Sequence, residues 1–353
     1  MKVLGIESTC DETAAAVVSG GRVLSNIIAS QINIHKEFGG VFPEIAAREH
    51  LRVILPTIKL ALKEAGCIKE SLAELRDNKT IDAIAVANRP GLIGGLMIGA
   101  MTARTLAEVL GLPLVAVDHV YAHIYGVEPA EMRFPLLALV VSGGHSTIYL
   151  LESPTNYQIL GETRDDAVGE AFDKAAKILG LPYPGGPSIS QAADAYKATG
   201  KEQLLPAPKL DNPYEFSFSG LKTAFLRRAQ EMAGGNFRMS SDEVADKLAD
   251  EQKNELAFVF QESAVRILLN ALEKAAKVYR PEQIIISGGV AANSRLRDKA
   301  HEVFGACGAD SGASKLLLPE RALSTDNAVM IARAALAMGL PKTAPRDLKV
   351  TPN

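Results

Sequence analysis

The order of predicted secondary-structure elements repeats once along the chain, and this repeat constrains the fold more than any other feature of the sequence. The first part reads as three strands, a helix, a strand, a helix and a strand, from KVLGIES to LPLVAVDH. The same order returns from LLALVVS onward and ends with KLLLP and a last helix. Apolar strands that alternate with amphipathic helices are typical of mixed sheets with helices on their faces. We therefore expect an α/β protein of two similar lobes with a ligand cleft between them.

The length of the chain agrees with two domains, because 353 residues exceed the usual size of one compact core. We place an N-terminal lobe at 1–117 and a C-terminal lobe at 118–324. The last predicted helix, 325–340, is expected to cross back to the N-terminal lobe. Residues 182–241 are rich in Pro, Gly and Ser, and we predict that they form an irregular insertion in the C-terminal lobe.

Composition and charge exclude several classes of protein. Hydrophobic residues make up 47% of the chain, as in a soluble globular protein, and no uncharged apolar run long enough for a membrane span is seen. The N-terminal MKVLGIEST has no signal-peptide pattern. Cys10, Cys67 and Cys307 show no C-x-x-C spacing, so we expect no disulfide framework and a reducing, cytoplasmic location. A net charge of −3 argues against a uniformly basic surface but permits a local basic groove.

Three apolar strands run directly into short turns of small and polar residues, in GIESTCDE, VVSGGHS and IISGGVAAN. Glycine lets backbone N–H groups approach a ligand closely, and such amide nests bind anions. One copy alone would be explained by a tight turn, whereas three copies after buried-type strands favour anion binding. The chain has neither a P-loop motif nor G-x-G-x-x-G after its first strand, which disfavours both of those nucleotide-binding folds.

His119 and His123 are four residues apart in DHVYAHIYG, so on a helix both imidazoles would lie on one face. Asp326, in STDN at the start of the last helix, can add a carboxylate. Two histidines and one carboxylate form a facial set that suits ferrous iron and can also take zinc. The alternative, two partly buried polar side chains on an amphipathic helix, stays open at this point. Val120 replaces the glutamate of H-E-x-x-H, so a metal here would act as a Lewis acid or substrate anchor without the base of a zinc protease.

Eight motifs in one order resemble those of the tRNA adenosine threonylcarbamoyltransferases in their bacterial form, a family once described as sialoglycoprotein endopeptidases. The motifs are GIESTCDET, HKEFGGVFPEIAAREH, VDHVYAHIYG, LVVSGGHST, GEAFDKAAKILGLPYPGGP, FSFSGLKTAF, ISGGVAANSRLR and STDNAVMIA. They span nearly the whole chain. The resemblance implies two RNase H-like lobes of the actin, Hsp70 and sugar-kinase superfamily.

The resemblance also implies an enzyme, a metal-dependent acyltransferase of tRNA modification. Such an enzyme moves the threonylcarbamoyl group of threonylcarbamoyl-AMP to the exocyclic amine of the adenosine immediately after the anticodon, in tRNAs that read codons beginning with A. AMP is released. The implied partners are tRNA, the degenerate paralogue TsaB and the small ATPase TsaE. The helical segment at 44–66 resembles the part that pairs with TsaB.

The site residues implied by the resemblance are carried over position by position. The metal ligands would be His119, His123 and Asp326, with Fe²⁺ favoured and Zn²⁺ as the second choice. The adenylate would be bound by Val140, Val141, Ser142, Gly143 and Gly144, with further nucleotide contacts from Asp173, Gly186 and Asn293. Asp11 and Glu12 resemble an acidic catalytic pair that faces the phosphate region.

The sequence departs from the family pattern at one pair of residues and at one single residue. Asn88 and Arg89 stand where many members have a smaller pair, and Ser190 stands where many have a carboxylate that contacts substrate. Candidate tRNA contacts are Lys36, Arg48, Arg52, Lys222, Arg227 and Arg228, although ordinary solvated helix charge is the simpler explanation for them.

Two other classes of function remain open. The first is a metalloprotease, the earlier label of the family, and the second is an ATPase or kinase of the same fold. The missing glutamate speaks against the first class. A His/His/Asp metal set does not belong to the usual machinery of the second.

Overall fold

The computed structural model describes residues 1–305, 314–341, 343–344 and 347–352. Cys307, one of the three cysteines considered above, lies outside the described residues. The chain folds into two compact units, one formed by Met1–Met132 with Pro319–Asn353 and the other by Arg133–Leu318.

Each unit contains one five-stranded mixed sheet. The strands of the first unit are β1 (Lys2–Glu7), β2 (Glu12–Ser19), β3 (Arg22–Ser30), β4 (Ala83–Arg89) and β5 (Leu114–Asp118). Those of the second unit are β6 (Leu136–Val141), β7 (Ser146–Ser153), β8 (Asn156–Glu162), β9 (Gln283–Ser287) and β10 (Lys315–Leu317).

The helices alternate with the later strands of each sheet. Those before β6 are α1 (Ile32–His35), α2 (Pro43–Glu64), α3 (Glu74–Asn78), α4 (Ile93–Leu110) and α5 (His119–Ala122). Those after β8 are α6 (Val168–Ile178), α7 (Gly185–Ala195), α8 (Ser219–Met232), α9 (Ser241–Lys247), α10 (Asp250–Tyr279), α11 (Ser294–Phe304) and α12 (Ala328–Ala337).

The two sheets share one strand order. It is β3-β2-β1-β4-β5 in the first unit and β8-β7-β6-β9-β10 in the second. In both, the first three strands form an antiparallel meander and the last two run parallel to the central strand. This shared topology confirms the predicted α/β fold of two similar lobes. The cleft between the lobes stays a prediction.

Helices cover both faces of the first sheet, which is why its central strand is buried from Val3 to Glu7. Leu4 and Ile6 of β1 join a core with Ile54 and Ile58 of α2. Gly5 points to the other face, where a Cβ would lie 2.2 Å from the carbonyl oxygen of Ala328. Glycine at this position therefore lets α12 lie directly on the sheet, which brings the C-terminal part of the chain back to the first unit.

The first unit extends past the boundary expected at 117. The segment that follows β5 packs against α12, so residues up to Met132 belong with the first sheet, and the chain rejoins this unit at Pro319 rather than at 325.

The expectation of an irregular insertion over 182–241 is wrong where α7, α8 and the start of α9 form, whereas the described segment 196–218 contains no helix or strand. Helix α7 buries Ile189, Ala192 and Ala193 in the core of the second unit. A Cβ on Gly185 would lie 2.4 Å from Cα of Asp173, so this helix begins against α6 at a distance that only glycine permits. The Pro and Gly residues that resemble a loop in the sequence instead start a closely packed helix.

One helix of the described residues, α4, is long and apolar enough by length and composition to cross a membrane. It carries Arg104 and Glu108, and it packs on β4 of the first sheet and on α2. A helix that lies on the core of a globular domain has the same composition.

Candidate metal centre

The first predicted ligand follows directly from the end of β5. Asp118 is the N-cap of α5, and its Oδ1 accepts a hydrogen bond of 3.0 Å from the backbone N–H of Tyr121. Helix α5 has only four residues and continues as a 3₁₀ turn from His123 to Gly126. The sequence predicted one regular helix here, and the bend does not separate the histidines. Their ring centroids are 4.8 Å apart and the rings are nearly perpendicular.

The third predicted ligand, Asp326, lies just before α12. Asn327 is the N-cap of this helix and accepts a hydrogen bond of 3.1 Å from the N–H of Met330. Arg333, one turn further along α12, is buried and donates hydrogen bonds of 3.0 Å to the carbonyls of Gly21 and Gly126. Arg333 thus ties the helix behind Asp326 to the turn that begins with His123. Sequence reasoning missed it, because an arginine in an apolar helix gives no sign of its partners.

The three side chains converge within the first unit. One ligand atom from each of His119, His123 and Asp326 can be chosen so that all lie within 4.8 Å of one another. Oδ1 of Asp326 is 3.6 Å from Nε2 of His119 and 3.3 Å from Nε2 of His123.

His123 supplies the test of whether these residues fit a metal. Its side chain is buried, and within the described part of the chain neither ring nitrogen makes a hydrogen bond of acceptable geometry. A buried imidazole without partners is costly, whereas a metal ion satisfies it. The donor set and this imidazole therefore fit a divalent metal.

His119 is held from the opposite side by two groups of the first strand and its turn. Its Nδ1 is 2.9 Å from Oε2 of Glu7 and 3.2 Å from Oγ1 of Thr9. Burial lowers the pKa of His119, but the carboxylates of Glu7 and Asp326 outweigh this and raise it to about 9. Without a metal, the imidazole of His119 is therefore protonated on both nitrogens and positively charged at neutral pH.

The predicted catalytic pair lies on the turn between β1 and β2. Ser30 donates a hydrogen bond of 3.1 Å to Oε1 of Glu12. Burial, followed by repulsion from Asp11 and Asp326, raises the pKa of Glu12 to about 10. Oγ1 of Thr9, in the same turn, lies 3.2 Å from Nδ1 of His119, so the acidic turn and the metal ligands are neighbours. The pair thus joins the metal ligands in one acidic cluster of the first unit.

A buried histidine that sequence reasoning missed supports this turn. His50 of α2 has Nε2 at 3.0 Å from the carbonyl oxygen of Cys10 and Nδ1 at 2.7 Å from Oγ1 of Thr13. The carbonyl can only accept, so Nε2 carries the proton and Nδ1 accepts from the Thr13 hydroxyl. The motif EIAAREH contains this histidine, but its partner is forty residues earlier in the chain.

The predicted adenylate loop follows β6 in the second unit. Val140 and Val141 are buried strand residues, and Ser142 N–H donates to the carbonyl of His145 at 2.8 Å, which closes a turn. The space beside Gly143 and Gly144 is open. On the other side the loop is packed tightly, because a Cβ on Gly288 would lie 2.4 Å from the carbonyl oxygen of Val141.

The remaining predicted nucleotide contacts also lie in the second unit. Asp173 accepts a hydrogen bond of 2.7 Å from the N–H of Gly185, and Gly186 has open space beside it. Asn293 is the N-cap of α11, and its Nδ2 donates to Oε1 of Gln261 at 2.7 Å. Asp173 and Asn293 therefore also have structural roles, because each side chain holds the start of a helix in place.

Two of the candidate basic residues and one of the departures from the family pattern have local explanations. Arg52 pairs with Glu49, and Arg228 donates to the carbonyl of Gln203. Arg89 lies 3.2 Å from Oδ2 of Asp118, the residue that caps α5. Nothing in the structure explains Ser190.

Comparison with known proteins agrees with the motifs. A sequence model described as TsaD, tRNA N6-adenosine threonylcarbamoyltransferase, matches residues 22–333. The protein of that name from Geobacillus thermodenitrificans (strain NG80-2) is 44% identical over 345 residues, which cover 95% of this chain and 91% of the relative. The one from Syntrophomonas wolfei subsp. wolfei is 43% identical over 356 residues, with 99% and 96% covered. The solved structure of T. kodakarensis HypF, 12% identical, has a TM-score of 0.59 and covers 99% of this chain and 49% of that one, a likeness of fold alone.

Proposed function

This chain belongs to the TsaD family of tRNA N6-adenosine threonylcarbamoyltransferases, and we propose that it transfers threonylcarbamoyl from threonylcarbamoyl-AMP to tRNA. The acceptor is the exocyclic amine of the adenosine immediately after the anticodon, in tRNAs that read codons beginning with A. The observation that carries the proposal is the convergence of His119, His123 and Asp326 beside the acidic turn at Asp11 and Glu12.

His119, His123 and Asp326 would hold one divalent metal, with ferrous iron favoured over zinc by the nitrogen and oxygen donors. When bound, the metal would polarise a carbonyl oxygen or anchor the threonyl group. Because the chain lacks a glutamate after His119, nothing in this motif supplies the base that a metalloprotease needs. The site therefore favours transfer from an activated donor over peptide hydrolysis.

The reaction forms a bond between the amine nitrogen and the carbamoyl carbon and breaks the bond from that carbon to the phosphate oxygen. AMP leaves with the electron pair, and the amine loses one proton. The acidic pair of Asp11 and Glu12 would orient the amine and take up this proton. Because adenylate is a good leaving group, orientation of the amine and exclusion of water are the main tasks of the site.

The loop at Ser142, Gly143 and Gly144 would bind the phosphate of the adenylate through its backbone N–H groups. The open space beside both glycines supports this role, since a side chain there would occupy the position of the ligand. Val140 and Val141 would support the loop, while Asp173, Gly186 and Asn293 would contact the nucleotide.

The proposed protein partners are TsaB and TsaE, in the cytoplasm. Helices α2 and α4 pack on each other, and their outer faces leave Leu51, Leu55, Met97 and Met101 about half to two-thirds exposed. Exposed apolar side chains on two adjacent helices form the kind of surface that a helical partner covers. Leu51 and Leu55 belong to the segment at 44–66, so this exposed surface supports pairing of that segment with TsaB.

The proposal is tested with purified chain, TsaB, TsaE, tRNA and threonylcarbamoyl-AMP labelled in the threonyl group. We expect label in tRNA, its loss on chelation or in His123→Ala, and recovery of the chelated wild type with Fe²⁺. Arg76→Met, a change of an exposed residue on α3 of the same unit, serves as the control. Cleavage of a peptide without transfer of label to tRNA would instead support the metalloprotease.

A further inference from the structure

We propose that Glu7 is a positioning residue that fixes the orientation and the protonated nitrogen of His119, so that Nε2 is presented to a divalent metal. Glu7 is not among the residues that the motif predicts as ligands or catalysts. The inference rests on the metal site of the proposed function and extends it to a residue that touches neither metal nor substrate.

The hydrogen bonds of Glu7 place a proton on Nδ1 of His119. Oε1 of Glu7 accepts a hydrogen bond of 2.7 Å from the backbone N–H of Thr9, and Oε2 lies 2.9 Å from Nδ1 of His119. A carboxylate whose oxygens both face nitrogen can only accept, so Nδ1 of His119 carries the proton. Once His119 gives up its second proton to bind a metal, the lone pair is on Nε2, which lies 3.6 Å from Oδ1 of Asp326.

Burial makes this contact strong and specific. The side chain of Glu7 is fully buried and that of His119 nearly so, hence water does not compete for either group. A buried carboxylate needs partners, and His119 and the Thr9 N–H supply them. The chain therefore keeps an acidic side chain buried inside the first unit at a position where its evident use is to orient a ligand.

The second histidine provides the contrast. Among the described residues, Nδ1 of His123 has no hydrogen-bond partner, and the carboxylate near its Nε2, 3.3 Å away, is that of the proposed fellow ligand Asp326. The two imidazoles are thus unequal ligands. A histidine that donates to a carboxylate is a better-oriented and more basic ligand, and loss of such a partner typically weakens metal binding about 10-fold to 100-fold.

Glutamine at position 7 separates the role of the carboxylate from that of side-chain shape. One glutamine oxygen cannot serve both Thr9 N–H and His119 Nδ1. If it faces Thr9, its NH₂ group faces His119 and favours the proton on Nε2, which blocks the metal. If it faces His119, the NH₂ group faces the Thr9 N–H, and the two donors cannot form a hydrogen bond with each other.

The experiment titrates the chelator-treated full-length protein with Co²⁺ and follows the visible absorption of the bound ion. We expect Glu7→Gln to bind Co²⁺ about 10-fold to 100-fold more weakly than wild type. Glu74→Gln is the matched control, because Glu74 also accepts backbone N–H groups in the first unit but touches none of the three ligands. Its Co²⁺ affinity is expected to stay within about twofold of wild type.

A Glu7→Gln protein that is folded by circular dichroism and binds Co²⁺ as tightly as wild type would overturn the inference. A second measurement needs no variant. In wild type loaded with Zn²⁺, ¹⁵N-histidine spectra are expected to show Nε2 of His119 bound to metal and Nδ1 protonated, and coordination through Nδ1 would overturn the inference. If wild type binds neither ion, the metal site itself fails, whereas tight binding by both proteins contradicts only the role of Glu7.

Discussion

The guanidinium of Arg333 donates a hydrogen bond of 3.0 Å to the carbonyl of Gly126, at the end of the turn that begins with His123. The same guanidinium reaches the carbonyl of Gly21 in the β2–β3 turn. Asp326 precedes the helix that carries Arg333, so one buried side chain links the segments that supply two of the three proposed ligands. Metal binding and the stability of the first unit are therefore expected to depend on it.

Replacing Arg333 by Met is predicted to lower the free energy of unfolding of the metal-free protein by about 2 to 4 kcal/mol, since two buried carbonyls lose their donors. Urea unfolding measures the change. Arg104→Met removes an exposed pair with Glu108 and is expected to change stability by no more than about 0.5 kcal/mol. Equal effects of the two substitutions would contradict the role given to Arg333.

Metal binding is predicted to release a proton from His119. The pKa of this residue is raised to about 9 in the metal-free protein, and a ligand must be neutral. Apparent Zn²⁺ affinity should therefore rise about tenfold per pH unit between pH 7 and 9 and level off above that. Calorimetry in buffers of different ionisation enthalpy counts the released proton. An affinity that does not change over this range would show that His119 is neutral before the metal binds.

Glu12→Gln is predicted to raise the stability of the metal-free protein at pH 7 to 8. The folded-state pKa of Glu12, about 10, lies above its unfolded value of 4.5. Its favourable contribution is thus complete below about pH 4.5 and is lost progressively as the pH rises to about 10. Thermal unfolding of both proteins across this range measures the effect. The gain from Gln should shrink toward pH 4.5, and a gain that grew on acidification would have the wrong sign.

Gly288→Ala is predicted to destabilise the second unit, whereas Gly144→Ala is not. Gly288 has φ 92° and ψ 166°, a conformation open almost only to glycine, so alanine costs about 1 to 3 kcal/mol from the backbone alone. Contact of the new methyl group with Val141 adds to this cost. Gly144 has open space, and alanine there should change the denaturation midpoint little while weakening adenylate binding. Similar midpoints for the two variants would contradict the tight packing at Gly288.

The amino-acid sequence was sufficient for the fold class and the repeat. Strand β6 is a continuous apolar run, and helices such as α10 repeat apolar residues every three or four positions. Both signals come from neighbouring residues, so they can be read before the chain folds. Helix α7 was missed for the same reason, because its start at Pro184 and Gly185 resembles a loop until its packing against α6 is seen.

The sequence by itself determined the two lobes, the histidine pair and the carboxylate that could join it, because those signals reside in local pattern and motif. Only the tertiary structure decided that His119, His123 and Asp326 meet, that Glu7 reaches His119 across 112 positions, and that Arg333 binds Gly126 across 207. Such contacts depend on sheet order and on α12 lying over Gly5. Local periodicity does not specify which residues distant in sequence will be in contact.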